Sequence, residues 1–394
     1  MKKTLVLIVL FLPALSLWAQ NKPNRFVEVG FDAGFSFANN YLRTGDIFKE
    51  TITLDLSKMA GDLKEGLSVF FDAHEATVLN FNLGATWGFG LFAGMDSLGH
   101  INIPQSMVEL LTQGNELHKT YSDDFGLGAA VFLETGFWAS ARIRRIKFTV
   151  RPAYFIPLVY LDKSRAHYTF AAKADGTIAV IGNYDVDIFT PLPLDDLSID
   201  AGSILGKGGA DISLRAEYPL FRNLVIGGSL THIPIFPAQL SDKYTMSGSF
   251  EFNSNIEDII NGDYEIPDFE PANESDTGNR VVFRPFKFGI DAVYRPFYIR
   301  LLTIKPTLAL VFNNIYNMPI YADFGVTGEL NLARILRVDA GTHYEDLVWK
   351  QRVGLALNFR IIEFGIGVTT QSQQFLKSFQ GAGFGIDIGL RMGF

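Results

Sequence analysis

Three residues in the last quarter of the chain could together carry acid–base chemistry. Asp339, His343 and Glu345 are separated by even spacings, so in a β-strand all three would lie on one face. A histidine beside carboxylates can act as a general base, which would suit an enzyme at the rim of a barrel. A polar lining explains the trio more simply. We therefore predict no enzymatic activity and no catalytic residue.

Other signatures of covalent, nucleotide or metal chemistry are missing from the sequence. The segment GKGGAD at Gly206 lacks the spacing and the hydroxyl of a phosphate-binding loop, and no G-x-S-x-G sequence occurs. The six histidines are not paired at metal-ligand spacing, and the chain has no cysteine. We predict neither a metal site nor a cofactor.

The most regular feature of the chain is alternation with a period of two residues, which is typical of β-strands with unlike faces. The last twelve residues read GFGIDIGLRMGF. The apolar members of this terminal stripe are Phe384, Ile386, Ile388, Leu390, Met392 and Phe394. Similar stripes recur at 27–37, 79–91, 125–133, 210–218, 286–294, 353–359 and 362–368.

The length of these stripes favours a membrane protein. They run for about 10 residues or more, which a tilted strand needs to cross a bilayer, whereas soluble strands are usually nearer about 5 or 6. The mean hydropathy is +0.16, yet no apolar run after the N-terminus is long enough to cross as a helix. A transmembrane antiparallel β-barrel, apolar toward lipid and mixed toward a lumen, fits this pattern. A large secreted β-sandwich is the competing interpretation.

The N-terminal sequence MKKTLVLIVLFLPALSLWAQ predicts a cleaved secretory signal peptide at 1–19, followed by a single barrel domain at 20–394. Cleavage would remove Lys2 and Lys3 and no acid, which takes the formal net charge from -8 to -10. A nucleic-acid partner needs a basic face. We therefore predict that the protein binds no nucleic acid.

Short basic joints between the stripes alternate with longer polar connections. The short joints centre on Arg144, Arg222, Pro296, Arg334 and Arg360. The longest polar connection is an acidic loop at 238–279, which holds ten acids and one lysine. Short turns at one rim and long loops at the other are typical of outer-membrane barrels. Counting strands between the short joints gives 12–16, and we predict about 14.

Two segments depart from the alternation and predict one or two short helices. Residues 103–117 have Pro104 at the start, Met107, Leu110 and Leu111 on one face, and Gly114 after it. Residues 56–66 are a second candidate. Either helix could lie in the lumen, cap a rim or belong to an external loop.

The terminal stripe with its final aromatic residue, Phe394, resembles the assembly signal of bacterial outer-membrane β-barrel proteins, porins among them. The resemblance implies that the barrel-assembly machinery recognises this strand, and that outer-membrane lipid of a Gram-negative-type bacterium surrounds the protein. Fatty-acid transporters of this class carry Asn-Pro-Ala near the mature N-terminus, where this chain has NKPNRFVEVG without that motif. The stretch IPQSMVELLTQGN faintly resembles functionally uncharacterised outer-membrane barrels, which imply no mechanism.

Charged residues on the mixed faces would line the lumen. The candidates are Asp291, Asp323, Glu329, Asp339, His343, Glu345, Arg352, Glu363, Asp387 and Arg391. Over all the inward faces we assign twelve acids and four bases, which predicts a water-filled pore with a mild cation preference. A network of internal salt bridges in a closed barrel is the alternative.

These observations predict a porin-like channel or transporter that passes small solutes by diffusion through a polar lumen. Two alternatives stay open. One is a hydrophobic-ligand transporter of the fatty-acid type, and the other is a closed structural or adhesive surface barrel. The oligomeric state also stays open.

Overall fold

The structure, a computed structural model, describes most of the chain that follows the predicted signal peptide. The residues it describes are 25–41, 59, 61–64, 66–84, 86–191, 201–255, 257, 272–296, 301–313, 315–316, 318–332, 335–359 and 361–394. The predicted signal peptide, residues 56–58, 60 and 65 of the second helical candidate, Arg334 and Arg360 lie outside them. Within that candidate, Met59, Gly61 and Asp62 are helical.

Antiparallel β-strands make up most of the described chain. The strands are β1 (Val27–Asn39), β2 (Leu67–Leu83), β3 (Trp87–Ile103), β4 (Thr120–Ile143), β5 (Ile146–Ala172), β6 (Thr177–Thr190), β7 (Gly209–Phe221), β8 (Leu224–Phe236), β9 (Ala238–Asn255), β10 (Ala272–Val282), β11 (Phe286–Tyr294), β12 (Leu302–Phe312), β13 (Ile320–Leu332), β14 (Leu336–Glu345), β15 (Val348–Asn358), β16 (Ile362–Ser372) and β17 (Phe384–Gly393). The helices are α1 (Gln105–Gln113), α2 (Ala201–Leu205) and α3 (Phe375–Ser378). The predicted all-β fold with short helices is confirmed.

Strand pairing closes most of these strands into a ring. Strands β1 to β5 pair in sequence order. In the ring, β5 then pairs with β7, β7 with β8, and β8 with β11. Each strand from β11 to β17 again pairs with the next. Pairing of β17 with β1, in which Phe31 lies opposite Leu390, completes the ring. A closed ring leaves no sheet edge in the bilayer, where unpaired backbone groups are too costly.

Three further strands extend the sheet beyond this ring. β5 pairs with β7 through its first half and with β6 through its second half. β9 then pairs with both β6 and β10. The described sheet therefore has seventeen strands, three more than the fourteen in the ring. The ring has the predicted number of about 14 strands, whereas the seventeen strands of the whole described sheet exceed the predicted range of 12–16.

The segment 238–279, predicted as a long acidic loop, is largely β-structure instead. β9 and the first part of β10 fall inside it and pair with each other. The prediction gave too much weight to charge, because outside the bilayer a solvated acidic strand pairs through its backbone as well as any other. The strand signal was the apolar alternation at Leu240, Tyr244 and Met246.

The two ends of the ring differ in their connections. At one end, short turns join β4 to β5 through Arg144, which has a positive φ of 55°, and join β7 to β8, β13 to β14 and β15 to β16. Val27 and Phe394 exchange backbone hydrogen bonds of 3.2 and 3.1 Å at this end. We call it the short-turn end and the opposite one the outer end. In outer-membrane barrels the short turns face the periplasm.

The helix predicted at 103–117 is confirmed as α1, with narrower bounds. It starts after Pro104 and ends at Gly114, whose φ of 77° suits glycine. Val108 is its buried residue, whereas Leu111, predicted on the apolar face, is 68% exposed. The helix joins β3 to β4 at the outer end and packs against β4.

Outward side chains on neighbouring strands form continuous apolar rows. Leu355 lies opposite Ile366, which lies opposite Ile388, and the three residues are 38–42% exposed. Exposed aromatic residues mark both ends of the barrel, with Trp87 and Phe394 among those at the short-turn end. A barrel in lipid has such a band and such aromatic girdles, so the outside of the ring faces the bilayer.

None of the helices in the described part of the chain is long and apolar enough to cross a bilayer.

The terminal stripe lies on the outside of β17. Four of its six members are among the exposed apolar side chains: Ile386, Ile388, Met392 and Phe394. Phe384 and Leu390 are partly exposed. The stripe is thus accessible from the lipid side, and its role in assembly stays a prediction.

Candidate functional site

The inner face of the ring is charged, as the alternation predicts. All ten residues predicted to line the lumen lie on the ring strands β11 and β13–β17, on the face opposite the apolar rows. Their charged partners come from ring strands and from the outer-end connections between them. The geometry of these ion pairs decides how much of the lumen is left open.

The most buried pairs form one cluster near the outer end. Arg284, between β10 and β11, donates two hydrogen bonds to Asp211 on β7, of 2.7 and 2.9 Å. A third bond from Arg284 reaches Glu134 on β4, which also accepts from Arg151 at 2.5 Å. The side chains of Arg284 and Asp211 are each only 2% exposed. The cluster ties β4, β5 and β7 to the connection between β10 and β11 on the inside of the barrel.

Three of the predicted lumen residues are held in similarly close pairs. Asp291 accepts two hydrogen bonds of 2.9 and 2.8 Å from Arg215. Glu329 accepts a bond of 2.5 Å from Lys305. Asp323 accepts a bond of 3.1 Å from Lys287. Such charge-assisted bonds fix the side chains against the barrel wall.

The predicted trio of Asp339, His343 and Glu345 is not assembled as one unit. His343 Nδ1 lies 3.5 Å from Glu345 Oε1, and its Nε2 is 2.8 Å from the hydroxyl of Thr327. Asp339 contacts neither partner through an ion pair or hydrogen bond in the described chain. Glu345 instead lies 3.8 Å from Lys350. The trio therefore behaves as polar lining.

Sequence reasoning missed most of the basic residues inside the barrel. The bases it overlooked are Arg25, Arg151, Arg284, Lys305, Arg337 and Lys350. Two of them had a usable signal, because Arg337 and Lys350 share strand faces with predicted lining residues, Asp339 and Arg352. With these six bases, the ten inward bases nearly match the twelve predicted acids, and most of those acids are paired with a base, so the lining is closer to balance than the sequence count indicated.

A cavity of about 360 Å³ remains on one side of the lumen, toward the short-turn end. Its charged or titratable lining residues are Asp32, His74, Arg337, Asp339, Arg352, Glu363, Asp387 and Arg391. Five of the ten predicted lumen residues therefore meet here, and Asp291, Asp323, Glu329, His343 and Glu345 lie elsewhere on the wall. Gly365, Gly367 and Gly389 also line the cavity, and their missing side chains leave it room.

The outer mouth of the lumen is narrowed by the connection between β12 and β13, residues 313–319. Tyr316 in this connection packs against Phe70 on β2 and His100 on β3, with ring centroids 6.0 and 5.2 Å apart. In the ring order, β2 lies opposite β12, so the connection reaches across the lumen. Burial raises the pKa of the Tyr316 phenol well above its ordinary value, so the ring stays neutral. We call the described residues of this connection, Asn313, Ile315, Tyr316, Met318 and Pro319, the mouth loop.

Apolar packing and hydrogen bonds both hold the mouth loop in place. Ile315 is 6% exposed and belongs to a buried cluster with Ala130, Phe132, Phe155, Tyr160, Phe189, Ala238, Leu240 and Val282. At the base of the loop, Asn313 donates to the Tyr321 hydroxyl at 3.2 Å and accepts from the Ile315 amide at 2.8 Å. Tyr321 in turn donates to Asp346 at 2.7 Å. The loop is therefore anchored on its own side and packed on the far side.

The lining offers no evident metal centre. Within the residues that the structure describes, no group of three or more histidine and carboxylate side chains is arranged to hold a metal ion.

Comparison with solved structures finds outer-membrane β-barrels among the proteins similar to this chain. No family model matches it, and no curated protein does. Among solved structures it is similar to the toluene transporter TbuX of Ralstonia pickettii, with 9% identity, 97% of this chain and 94% of that chain covered, and a TM-score of 0.46. The toluene transporter TodX of P. putida matches with 9% identity, coverage of 94% and 91%, and a TM-score of 0.48. The monoaromatic hydrocarbon channel CymD matches with 7% identity, coverage of 96% and 91%, and a TM-score of 0.48. The predicted resemblance to outer-membrane barrels is confirmed. At these identities and scores the likeness concerns the barrel architecture alone.

Proposed function

We propose that the chain is an outer-membrane transporter whose outer mouth is closed at rest by the mouth loop, and that its solute is a small hydrophobic molecule. The observation that carries this proposal is the seating of Ile315 and Tyr316 across the lumen. A permanently open porin would leave its polar lumen free of such contacts. The hydrophobic-ligand alternative therefore fits better than diffusion through a polar lumen.

The chemistry of the mouth favours an apolar solute. A hydrated solute would have to shed water to pass between Tyr316 and Phe70, and polar groups without hydrogen bonds in an apolar site cost several kcal/mol, about 2–7 depending on the reference state. A small aromatic or aliphatic molecule can instead replace the ring contacts that Tyr316 loses when the mouth loop moves. The solute itself would then offset part of the cost of opening.

We also infer how the chain is exported and assembled. Residues 1–19 are cleaved on export, and the barrel-assembly machinery recognises β17 through its outward stripe. Outer-membrane lipid then contacts the apolar rows of the ring. The protein binds and passes its solute without covalent chemistry, and it needs no cofactor.

Planar-bilayer recordings of the refolded barrel test the closure. We expect a low conductance for the wild type and a marked rise for Ile315→Ser/Tyr316→Ser, because both apolar contacts across the lumen are lost. The matched control is Met318→Ser, in the same loop at a residue that is 51% exposed, which should stay low. A high, steady wild-type conductance would overturn the closure. A double variant as closed as the wild type would instead support the structural barrel.

Uptake into cells tests the solute class. Cells that produce the wild-type barrel are compared with cells that lack it, with toluene as the apolar probe and glycerol as the polar one. We expect the barrel to speed toluene entry several-fold and to leave glycerol entry nearly unchanged. Faster glycerol entry with unchanged toluene entry would refute the proposal of a hydrophobic solute. It would instead favour diffusion of small polar solutes through the lumen.

A further inference from the structure

Two of the three arginines that line the cavity near the short-turn end have only long contacts with carboxylates. The closest ion pairs lie elsewhere in the lumen, as in the two-bond contacts of Arg284 with Asp211 and of Arg215 with Asp291. In the cavity, Arg337 lies 3.3 Å from Glu363, whereas the contacts of Arg352 and Arg391 are longer. Charged groups that face open space without close partners are the usual mark of a site for a charged ligand.

Two cavity arginines illustrate the difference. Arg352 Nε lies 3.5 Å from Asp387 Oδ2, and Arg391 Nη2 lies 3.6 Å from Asp32 Oδ2. Neither arginine donates a hydrogen bond to any other residue that the structure describes. Both side chains are 46% exposed, so their guanidinium groups are in contact with the water of the cavity. They retain donors for a carboxylate, the group that a guanidinium fork binds best.

One cavity carboxylate has even fewer contacts. Asp339 has neither an ion pair nor a hydrogen bond within the described part of the chain. Its carboxylate lies over Gly354, where an added Cβ would come within 2.6 Å of both oxygens. Glycine at this position therefore gives Asp339 its place at the edge of the cavity. A carboxylate in this setting can accept hydrogen bonds from an ammonium group.

The register of the sheet brings this acid close to one of the loosely paired arginines. Asp339 on β14 lies directly opposite Gly354 on β15, and Arg352 is the next inward residue on β15. Diagonal neighbours on one face of a sheet are about 7–8 Å apart at the backbone, within reach of long side chains. One small molecule can therefore contact both side chains, with a hydrogen bond of about 2.8–3.0 Å at each end.

We propose that the cavity binds a small zwitterion of the α-amino-acid class, with its carboxylate on Arg352 and its ammonium on Asp339. With three arginines and four carboxylates, the lining is nearly balanced, which suits a ligand with both charges better than an anion. The volume of about 360 Å³ falls within the range of about 300–1,000 Å³ found for ligand pockets. This site is separate from the solute path proposed for the mouth, because its lining residues lie toward the short-turn end.

Equilibrium dialysis of the refolded barrel against a pool of the common L-amino acids tests the proposal without requiring the mouth to open. At least one amino acid should be retained by the wild type at millimolar concentration or below. Its amide, which lacks the carboxylate, and its N-acetyl derivative, which lacks the ammonium, should each bind about tenfold more weakly or worse, since each loses one charge-assisted contact.

Variants assign the two contacts. Asp339→Asn and Arg352→Gln should each weaken retention about tenfold or more, while both still fold, as shown by an unchanged shift between heated and unheated protein on a gel. The matched control is Glu345→Gln, an inward acid outside the cavity, which should bind like the wild type. The site would be overturned if no amino acid were retained, if either derivative bound as tightly as the amino acid itself, or if the two variants bound like the wild type. The conductance and toluene experiments would be unaffected by that outcome.

Discussion

Replacing Arg284 by methionine should be among the most destabilising single changes in the barrel. The side chains of Arg284 and Asp211 are each 2% exposed, and that of Glu134 is 9% exposed. The substitution would leave the Asp211 carboxylate buried without its cation, whereas Glu134 would keep Arg151. Removing one partner of a buried pair costs about 3–5 kcal/mol, because the remaining charge is uncompensated. This loss would raise the equilibrium constant for unfolding by about 10²–10⁴-fold.

Two further variants isolate this effect from the loss of any positive charge. Arg391→Met removes an arginine whose contact with Asp32 is 3.6 Å long and at least 40% exposed on both sides, so we expect a loss of about 0–1 kcal/mol. Arg284→Met/Asp211→Leu removes both charges of the buried pair. Replacement of a buried pair by apolar residues is often neutral, so the double variant should recover most of the loss.

Urea unfolding of the refolded barrel in detergent micelles measures the stability of all three variants, with tryptophan fluorescence and the heat-modifiable gel shift as independent probes. The expected order of midpoints is wild type and Arg391→Met highest, the double variant next, and Arg284→Met lowest. Equal midpoints for Arg284→Met and Arg391→Met would refute the burial argument. A double variant less stable than Arg284→Met would show that Asp211 is needed for another contact.

Three more predictions concern the lipid-facing row, the C-terminal residue and the strands outside the ring. Leu355→Arg, on the lipid-facing row, should lower the free energy of unfolding by about 2–4 kcal/mol. Arg352→Gln, on the inward face of the same strand, should lower it by about 0–1 kcal/mol, and matching urea midpoints would contradict the assignment of the two faces. Deleting Phe394 removes the backbone bonds with Val27 and the last aromatic of the terminal stripe, so heat-modifiable barrel in outer-membrane fractions should fall several-fold, and a wild-type amount would argue against the stripe as an assembly signal. Glu251→Gln on β9 should shift stability by no more than about 0.5 kcal/mol, since β9 lies outside the ring, and a larger loss would mean that the ring depends on the extension.

The parts of the fold that the sequence predicts are those set by local period. Alternation in the terminal stripe fixed which residues of β17 face lipid, and the same rule placed Asp387 and Arg391 inside. The period also holds in β9, but the acid content of 238–279 masked it. Charge determines where a strand can lie relative to the bilayer, and it does not prevent backbone pairing in water.

The parts that the sequence does not predict depend on contacts across the barrel. The mouth loop looks like an ordinary connection, and its two apolar residues, Ile315 and Tyr316, were the only hint that it packs inward. Their partners come from strands far along the chain, so no local pattern identifies them. The same holds for Arg284, which lies between two strands and finds Asp211 and Glu134 only once the ring has closed.

Closure of the ring by the first and last strands has a consequence for the order of folding. β1 pairs with β2 soon after both exist, but its other edge has no partner until β17, the last ten residues before Phe394, is in place. A chain that lacks β17 would carry two unpaired edges, one on β1 and one on β16, and an apolar exterior that cannot be sealed in lipid. Shortening the chain from its C-terminus should therefore not give progressively smaller barrels. The loss of one strand removes closure altogether, so β17 must be present before the barrel can insert stably.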